Sequence, residues 1–147
     1  MNPLLHSAVS PRLRVLLVGS EGAANFTLSA WLSELEKMLD VAGPTKTTAA
    51  ALAVAAGFKP DVVLLDFHGF PISIGYTVSL LKELSPPPLV LVLTHDASAT
   101  MRRRCREARV DAVFDKTSEL EMVAALLEQT RKFLAGSPAY QASPIEV

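Results

Sequence analysis

The sequence predicts an α/β domain in which five parallel strands form one sheet with helices on both faces. Short apolar runs alternate along the chain with longer segments whose apolar side chains recur at helical spacing. The apolar runs are continuous, which is typical of strands buried on both faces of a parallel sheet. With 147 residues, half of them hydrophobic, the chain is long enough to bury the core of such a domain.

Five short β-rich runs are the predicted strands, each bounded by glycine, proline or polar residues. The second run is the weakest, and Pro44 is expected to halt it because proline lacks the N–H group that a ladder needs. The predicted strands cover residues 13–18, 40–43, 62–65, 89–93 and 111–114.

A helix is expected after each strand, since the apolar spacing changes there to the helical period. Thr47 and Thr48 are candidate N-caps of the second helix, and Gly57 is expected to end it. The predicted helices cover residues 23–39, 47–56, 74–84, 98–108 and a last segment that ends near residue 134.

The last helix opens with a capping-box pattern, in which Thr117 or Ser118 pairs with Glu121. Helices that connect parallel strands form right-handed crossovers. The expected result is a flavodoxin-like, doubly wound (βα)₅ domain with strand order 2-1-3-4-5.

Composition and charge restrict this domain to a few function classes. One globular domain is expected over residues 12–135, with residues 1–11 and 136–147 as tails. The formal net charge of −1 provides no general attraction to nucleic acid or to an anionic membrane. No apolar stretch approaches the roughly 18–20 residues of a membrane span, and residues 1–11 do not match a signal peptide. We therefore expect a cytoplasmic protein that has no membrane partner and for which nucleic acid is a disfavoured partner.

Polar residues mark the ends of three predicted strands. Asp66 ends the third strand, Thr94 ends the fourth, and Lys116 follows the fifth. Because the C-terminal ends of parallel strands meet at one edge of the sheet, a carboxylate, a hydroxyl and an ammonium should converge there. A carboxylate can attack phosphorus, and the other two groups can hold the charged phosphoryl group. The sequence therefore predicts phosphoryl acceptance at Asp66.

The same strand ends give the chain a resemblance to the receiver domain of two-component response regulators, over residues 13–134. Residues 60–66 match the strand that carries the phosphoacceptor aspartate, and residues 90–94 match the strand that ends in the switch hydroxyl. Residues 114–119 match a variant of the segment that carries the strand-end lysine. The three matches together are more specific than any one of them.

The resemblance implies a role for each residue and a class of partner. Asp66 would accept a phosphoryl group from a histidine kinase or a phosphotransfer protein, Thr94 would hydrogen-bond it, and Lys116 would pair with it. The chain would then be a signalling module rather than an enzyme, with a downstream protein as its partner. That contact, or a homodimer, would use the face formed by the fourth helix, the last strand and the last helix.

The chain departs from the receiver pattern at the residues that bind Mg²⁺. Receivers carry two adjacent acids after the first strand, where this chain has Gly19 and Ser20, and Glu21 comes one residue later. Mg²⁺ requires oxygen ligands in octahedral geometry, so Asp66 with Glu21 would form a weak site. Two hypotheses stay open: a phosphoacceptor with impaired Mg²⁺ binding, and a pseudo-receiver that binds partners without phosphorylation.

Other departures concern the surroundings of the acceptor. His68 lies in the following loop, and Pro71 comes five residues after the aspartate, where receivers place a proline after four. Thr117 replaces the proline that normally follows the lysine, and Val113 or Ala112 replaces the aromatic switch residue. The family pattern therefore does not predict how the lysine is oriented or how a change at the acceptor is transmitted.

The fourth predicted helix, here called the arginine-rich helix, also contains the single cysteine. A basic helix on the partner face could dock an acidic protein or, less readily, nucleic-acid phosphate, and an ordinary solvated face is the alternative. Cys105 cannot form an internal disulfide. Neighbouring arginines can lower the pKa of a thiol, but an incidental helix thiol is the favoured interpretation. The arginines are Arg102, Arg103, Arg104, Arg106 and Arg109.

Overall fold

A computed structural model describes residues 12–19, 31–67 and 73–136 of the chain. Its strands are β1 (Leu13–Gly19), β2 (Leu39–Thr45), β3 (Val62–Phe67), β4 (Leu89–Thr94) and β5 (Ala112–Asp115). Its helices are α1 (Thr48–Phe58), α2 (Ile74–Leu81), α3 (Ala99–Glu107) and α4 (Leu120–Ala135). The strands pair in parallel in the order β2-β1-β3-β4-β5, which confirms the predicted flavodoxin-like fold class.

The side chains of each strand alternate between two apolar layers, one on each face of the sheet. On β1, Val15 and Leu17 belong to the layer that contains Leu127 of α4. Leu16 and Val18 belong to the opposite layer, which packs against α1, α2 and α3. Helices therefore cover both faces, as a doubly wound sheet requires. Among the described residues, no helix is long and apolar enough to cross a membrane.

The first predicted helix is only partly described. Residues 23–30 lie outside the described part of the chain, and residues 31–33 are helical. Turns over residues 34–38 then lead into β2, so Leu39 belongs to the strand and not to the helix.

The prediction that Pro44 halts the second strand is wrong, because β2 lies at the edge of the sheet. An edge strand uses its N–H groups on one side only, so a proline is tolerated there. Gly43 has a φ of 98°, and a Cβ at this position would lie 2.3 Å from the carbonyl oxygen of Leu17. β2 therefore passes Pro44 with a register shift against β1 and ends at Thr45.

The start of α1 follows the prediction, but its end does not. Thr47 is the N-cap, and its hydroxyl accepts a hydrogen bond from the N–H of Ala50 at 3.0 Å. The helix continues through Gly57, so the prediction that this glycine ends it is wrong. Lys59 terminates the helix instead, because it adopts the left-handed conformation with a φ of 53° and its N–H donates to the carbonyl oxygen of Ala55.

The capping box predicted for Thr117 or Ser118 with Glu121 is wrong. α4 begins after Glu119, and no side chain caps its first turn. The Glu119 carboxylate points backwards and accepts a hydrogen bond from the N–H of Asp115 at 2.8 Å. A carboxylate other than the predicted one, that of Glu119, therefore serves the turn that precedes the helix.

Candidate functional site

The C-terminal edge of the sheet contains a buried ion pair. Asp66, in β3, is 2% exposed, and Lys116, just after β5, is 8% exposed. The Lys116 Nζ donates a hydrogen bond to Asp66 Oδ1. A buried carboxylate and a buried ammonium each lose their hydration, and direct contact offsets part of that loss. The structure thus brings together the two charged residues that were predicted to meet at this edge.

Gly19 provides the space in which Asp66 lies. β1 runs beside β3, and Gly19 is the register partner of Asp66. A Cβ at position 19 would lie 2.7 Å from the Asp66 Cβ and 2.9 Å from its carbonyl oxygen. Carbon atoms in favourable contact are about 3.5–4.0 Å apart. The position that receivers fill with an acid therefore accepts no side chain here unless Asp66 or β1 moves.

The described residues at this edge lack one of the two acids that the receiver pattern places there for Mg²⁺, because position 19 is glycine. No group of three or more His, Cys, Asp or Glu among them is placed to hold a metal ion. Position 19 has no room for a carboxylate, and Asp66 Oδ1 accepts the hydrogen bond from Lys116. Four residues of the sequence predictions lie outside the described part of the chain, namely Ser20, the predicted ligand Glu21, His68 and Pro71.

Thr94 lies at the same edge and supports the backbone of the lysine. It is 3% exposed, and its register partners are Phe67 in β3 and Asp115 in β5. Its hydroxyl accepts a hydrogen bond from the N–H of Asp96 at 3.0 Å, and its carbonyl oxygen accepts one from the N–H of Lys116 at 2.9 Å. The hydroxyl retains its own proton, which it can donate to a further group.

The turn that presents Lys116 contains residues that the sequence reasoning missed. The N–H of Thr117 donates to Asp115 Oδ1 at 2.7 Å, and the N–H of Asp115 donates to Glu119 Oε1 at 2.8 Å. The Lys116–Thr117 peptide bond is trans, so the lysine reaches the aspartate without a proline after it. An aspartate two residues before a backbone donor is a known turn signal, and this signal was available in the sequence.

Solved structures that share this fold include receiver domains of response regulators. The signal receiver domain of NarL from Mycobacterium tuberculosis is 21% identical with a TM-score of 0.69, and the match covers 82% of this chain and 97% of that one. The BeF₃-activated receiver domain of RstA from Klebsiella pneumoniae is 21% identical with a TM-score of 0.66, over 81% and 98% of the two chains. This chain has the receiver-domain fold. The response regulator domain of CheB from Thermotoga maritima, at 20% identity and a TM-score of 0.64, matches 87% of this chain and all 100% of its own.

These likenesses establish the receiver fold and not the activity, because every identity is low. No protein-family model matches the sequence, and no curated protein matches it. The functional conclusion therefore depends on the residues at the sheet edge and on the surface near them.

In this receiver fold, α3 is the arginine-rich helix, and the side chain of one of its arginines makes hydrogen bonds with other parts of the domain. Arg102 donates from Nε to the carbonyl oxygen of Ala97 and from Nη1 to that of Val113, both at 3.1 Å. Its Nη2 lies 3.5 Å from Glu119 Oε1. Four exposed arginines form no ion pair with any described residue: Arg103, Arg104 and Arg106 in α3, and Arg109, which was predicted on this helix but follows its end with a φ of 69°.

The thiol of Cys105 lies in the core of the domain. It is fully buried in the apolar layer between α3 and the sheet, with Sγ 3.8 Å from the Sδ of Met101. Burial raises the pKa of the Cys105 thiol, and this effect exceeds the opposing influence of Arg104 and Arg102. The alternative of a lowered pKa is therefore wrong, and Cys105 is an apolar core residue, in agreement with the favoured interpretation of an incidental thiol.

Proposed function

We propose that this chain is a receiver-type module of phosphorelay signalling in which Asp66 accepts a phosphoryl group from a histidine kinase or a phosphotransfer protein. The observation that supports this most strongly is the buried contact between Asp66 and Lys116. It lies at the C-terminal edge of a parallel sheet, where open α/β domains bind their ligands. The module acts through protein contacts and not as an enzyme.

Each group at the edge has a step to perform in this reaction. An Asp66 carboxylate oxygen forms the new bond to phosphorus, while the bond from phosphorus to the donor breaks and its electron pair stays with the donor. The phosphoryl group brings additional negative charge into a buried position, and the Lys116 ammonium neutralises it. The Thr94 hydroxyl then donates its proton to a phosphoryl oxygen.

The test is phosphorylation of the full-length chain by acetyl phosphate in the presence of Mg²⁺, followed by intact-protein mass spectrometry. The wild type should gain one phosphoryl group, and Asp66→Asn should gain none because an amide oxygen is a poor nucleophile. Asp61→Asn is the matched control, since Asp61 immediately precedes the same strand at its opposite end. Labelling that persists in Asp66→Asn would contradict the assignment.

A pseudo-receiver is the second candidate function, and the crowding at Gly19 favours it. In this case the Lys116 ammonium permanently neutralises Asp66, and the module binds its partner in one state. A Mg²⁺ titration observed by NMR at Asp66, with Asp66→Asn as the control, separates the two functions. Saturable binding that the substitution removes supports the phosphoacceptor, whereas no binding at several millimolar supports the pseudo-receiver.

The output surface is the face formed by α3, β5 and α4. The exposed arginines of α3 favour an acidic partner protein, because complementary charge increases the association rate and the specificity. A symmetric homodimer through the same patch would bring arginines from both copies together. We therefore favour a downstream acidic protein over a second copy, and sedimentation of the purified chain as a monomer is the expected result.

A further inference from the structure

The turn that carries Lys116 is closed by a carboxylate to which the proposed function gives no role. Glu119 Oε1 accepts the N–H of Asp115 at 2.8 Å, and the N–H of Glu119 donates to the carbonyl oxygen of Asp115 at 2.9 Å. The two bonds connect the first and last residues of the turn in opposite directions. The three residues between them, Lys116 included, are therefore held in a closed ring.

Two further contacts fix the ring to the sheet edge. The N–H of Thr117 donates to Asp115 Oδ1 at 2.7 Å, which restrains the residue directly after the lysine. The N–H of Lys116 donates to the carbonyl oxygen of Thr94 at 2.9 Å. Thr117 provides an N–H group that a proline would lack. Hydrogen bonds, and not a proline ring, therefore restrain the backbone that follows Lys116.

The same carboxylate reaches the arginine-rich helix. Arg102 Nη2 lies 3.5 Å from Glu119 Oε1, and Arg102 also binds the carbonyl oxygen of Val113 in β5. Both side chains of the ion pair are partly exposed, so the pair contributes orientation more than stability. A continuous set of contacts consequently links the Asp66–Lys116 pair, through Glu119, to α3.

We propose that Glu119 is a positioning residue that aims the Lys116 ammonium at Asp66. Lysine has four rotatable side-chain bonds, so the place its ammonium occupies depends on how firmly its backbone is held. A shift of about 1 Å at a catalytic group can reduce a rate about a hundredfold. The rate effect depends on the proposed function, but the position of the ammonium in the unphosphorylated protein can be measured without it.

The experiment compares the wild type with variants at Glu119 and Glu128 by NMR of the Lys116 ammonium, whose signal is assigned with Lys116→Met. In the wild type, the buried ammonium should exchange slowly with water and give an observable signal. Glu119→Ala should lose this signal, and Glu119→Gln should keep it because the amide oxygen still accepts the Asp115 N–H. Glu128→Ala is the control, since Glu128 pairs with Arg131 farther along the same helix.

Glu119→Asp separates positioning from charge. It keeps the negative charge but is one methylene shorter, so it cannot reach the Asp115 N–H and should lose the ammonium signal as Glu119→Ala does. It also serves if Glu119→Ala does not fold. An ammonium signal unchanged from the wild type in folded Glu119→Asp or Glu119→Ala would overturn the proposal.

Acetyl phosphate kinetics give the second readout. The maximal phosphorylation rate of Glu119→Ala should fall about tenfold, which is the effect of losing one hydrogen bond to a charged group. The half-saturating donor concentration should not change, because Glu119 does not contact the donor. If the wild type is not phosphorylated at all, the proposed function fails, and the ammonium signal still decides whether Glu119 positions the lysine.

Discussion

Carboxylates and cations occur at both edges of the sheet, but they have different roles at each edge. At the N-terminal edge, Asp61 accepts the N–H of Arg14 at 2.9 Å and Asp111 accepts the N–H of Val90 at 2.7 Å. Each of these carboxylates pins its own strand to a neighbouring strand through a backbone donor. At the C-terminal edge, Asp66 meets the ammonium of Lys116, and both of these side chains are buried.

Burial makes the difference between the edges important. The side chains of Asp61 and Asp111 keep 12% and 35% of their surface in solvent, whereas that of Asp66 keeps none. A carboxylate in contact with water can lose a cation at modest cost, but a fully buried one cannot. The comparison indicates that the N-terminal edge serves stability and that the C-terminal edge is organised around one charge.

The largest expected effect is that of removing the ammonium. Lys116→Met should lower the free energy of unfolding by about 3–5 kcal/mol, since it leaves a buried carboxylate without its cation. Urea unfolding at neutral pH measures the loss. Lys116→Met combined with Asp66→Asn should recover much of it, because no charge then remains buried. A loss in the single variant as small as that of a surface substitution would remove the distinction between the edges.

The next effect concerns the space beside Asp66. Gly19→Ala should lower the free energy of unfolding by about 1–3 kcal/mol, which is typical of overpacking a core. Gly57→Ala is the matched control, because a Cβ there meets no atom within 4 Å and Gly57 lies inside α1. The control should instead stabilise the protein by about 0.5–1 kcal/mol. If Gly19→Ala did not lower the free energy of unfolding, position 19 would have as much free space for a side chain as position 57.

The smallest effects belong to the N-terminal edge. Asp111→Asn should cost about 1–2 kcal/mol, because Asp111 binds both the N–H of Val90 and, at 2.6 Å, the ammonium of Lys82. Asp40→Asn should cost about 0–1 kcal/mol, since its ion pair with Arg12 is half exposed on both sides. Thermal unfolding of the two variants at low and high salt measures both losses of stability. A larger loss of stability in Asp40→Asn than in Asp111→Asn would contradict the expected order.

The parts of the fold that depend on pattern could be predicted from the sequence. The apolar runs led to the parallel sheet and its strand order, and the strand ends led to the meeting of Asp66 and Lys116. Contacts between residues of different strands could not be predicted from the pattern of apolar and polar residues. The crowding at Gly19 follows from its register with Asp66, which the residues of β1 alone do not reveal.

Two local predictions failed because contacts with neighbouring segments outweighed the local sequence pattern. Glu121 has the spacing of a capping box, but Glu119 binds the N–H of Asp115 and the helix begins after it. Proline is a strand breaker inside a sheet, but an edge strand such as β2 tolerates Pro44. Both outcomes depend on where neighbouring segments lie in three dimensions.

The buried thiol of Cys105 makes the motion of α3 measurable without an engineered labelling site. The protein has a single cysteine, and its side chain lies wholly within the layer between this helix and the sheet. A thiol reagent can reach it only after the helix separates from the sheet, so the labelling rate reports how often that separation occurs. Partner binding or phosphorylation that tightens or loosens α3 would therefore appear as a change in labelling half-life, read from one atom.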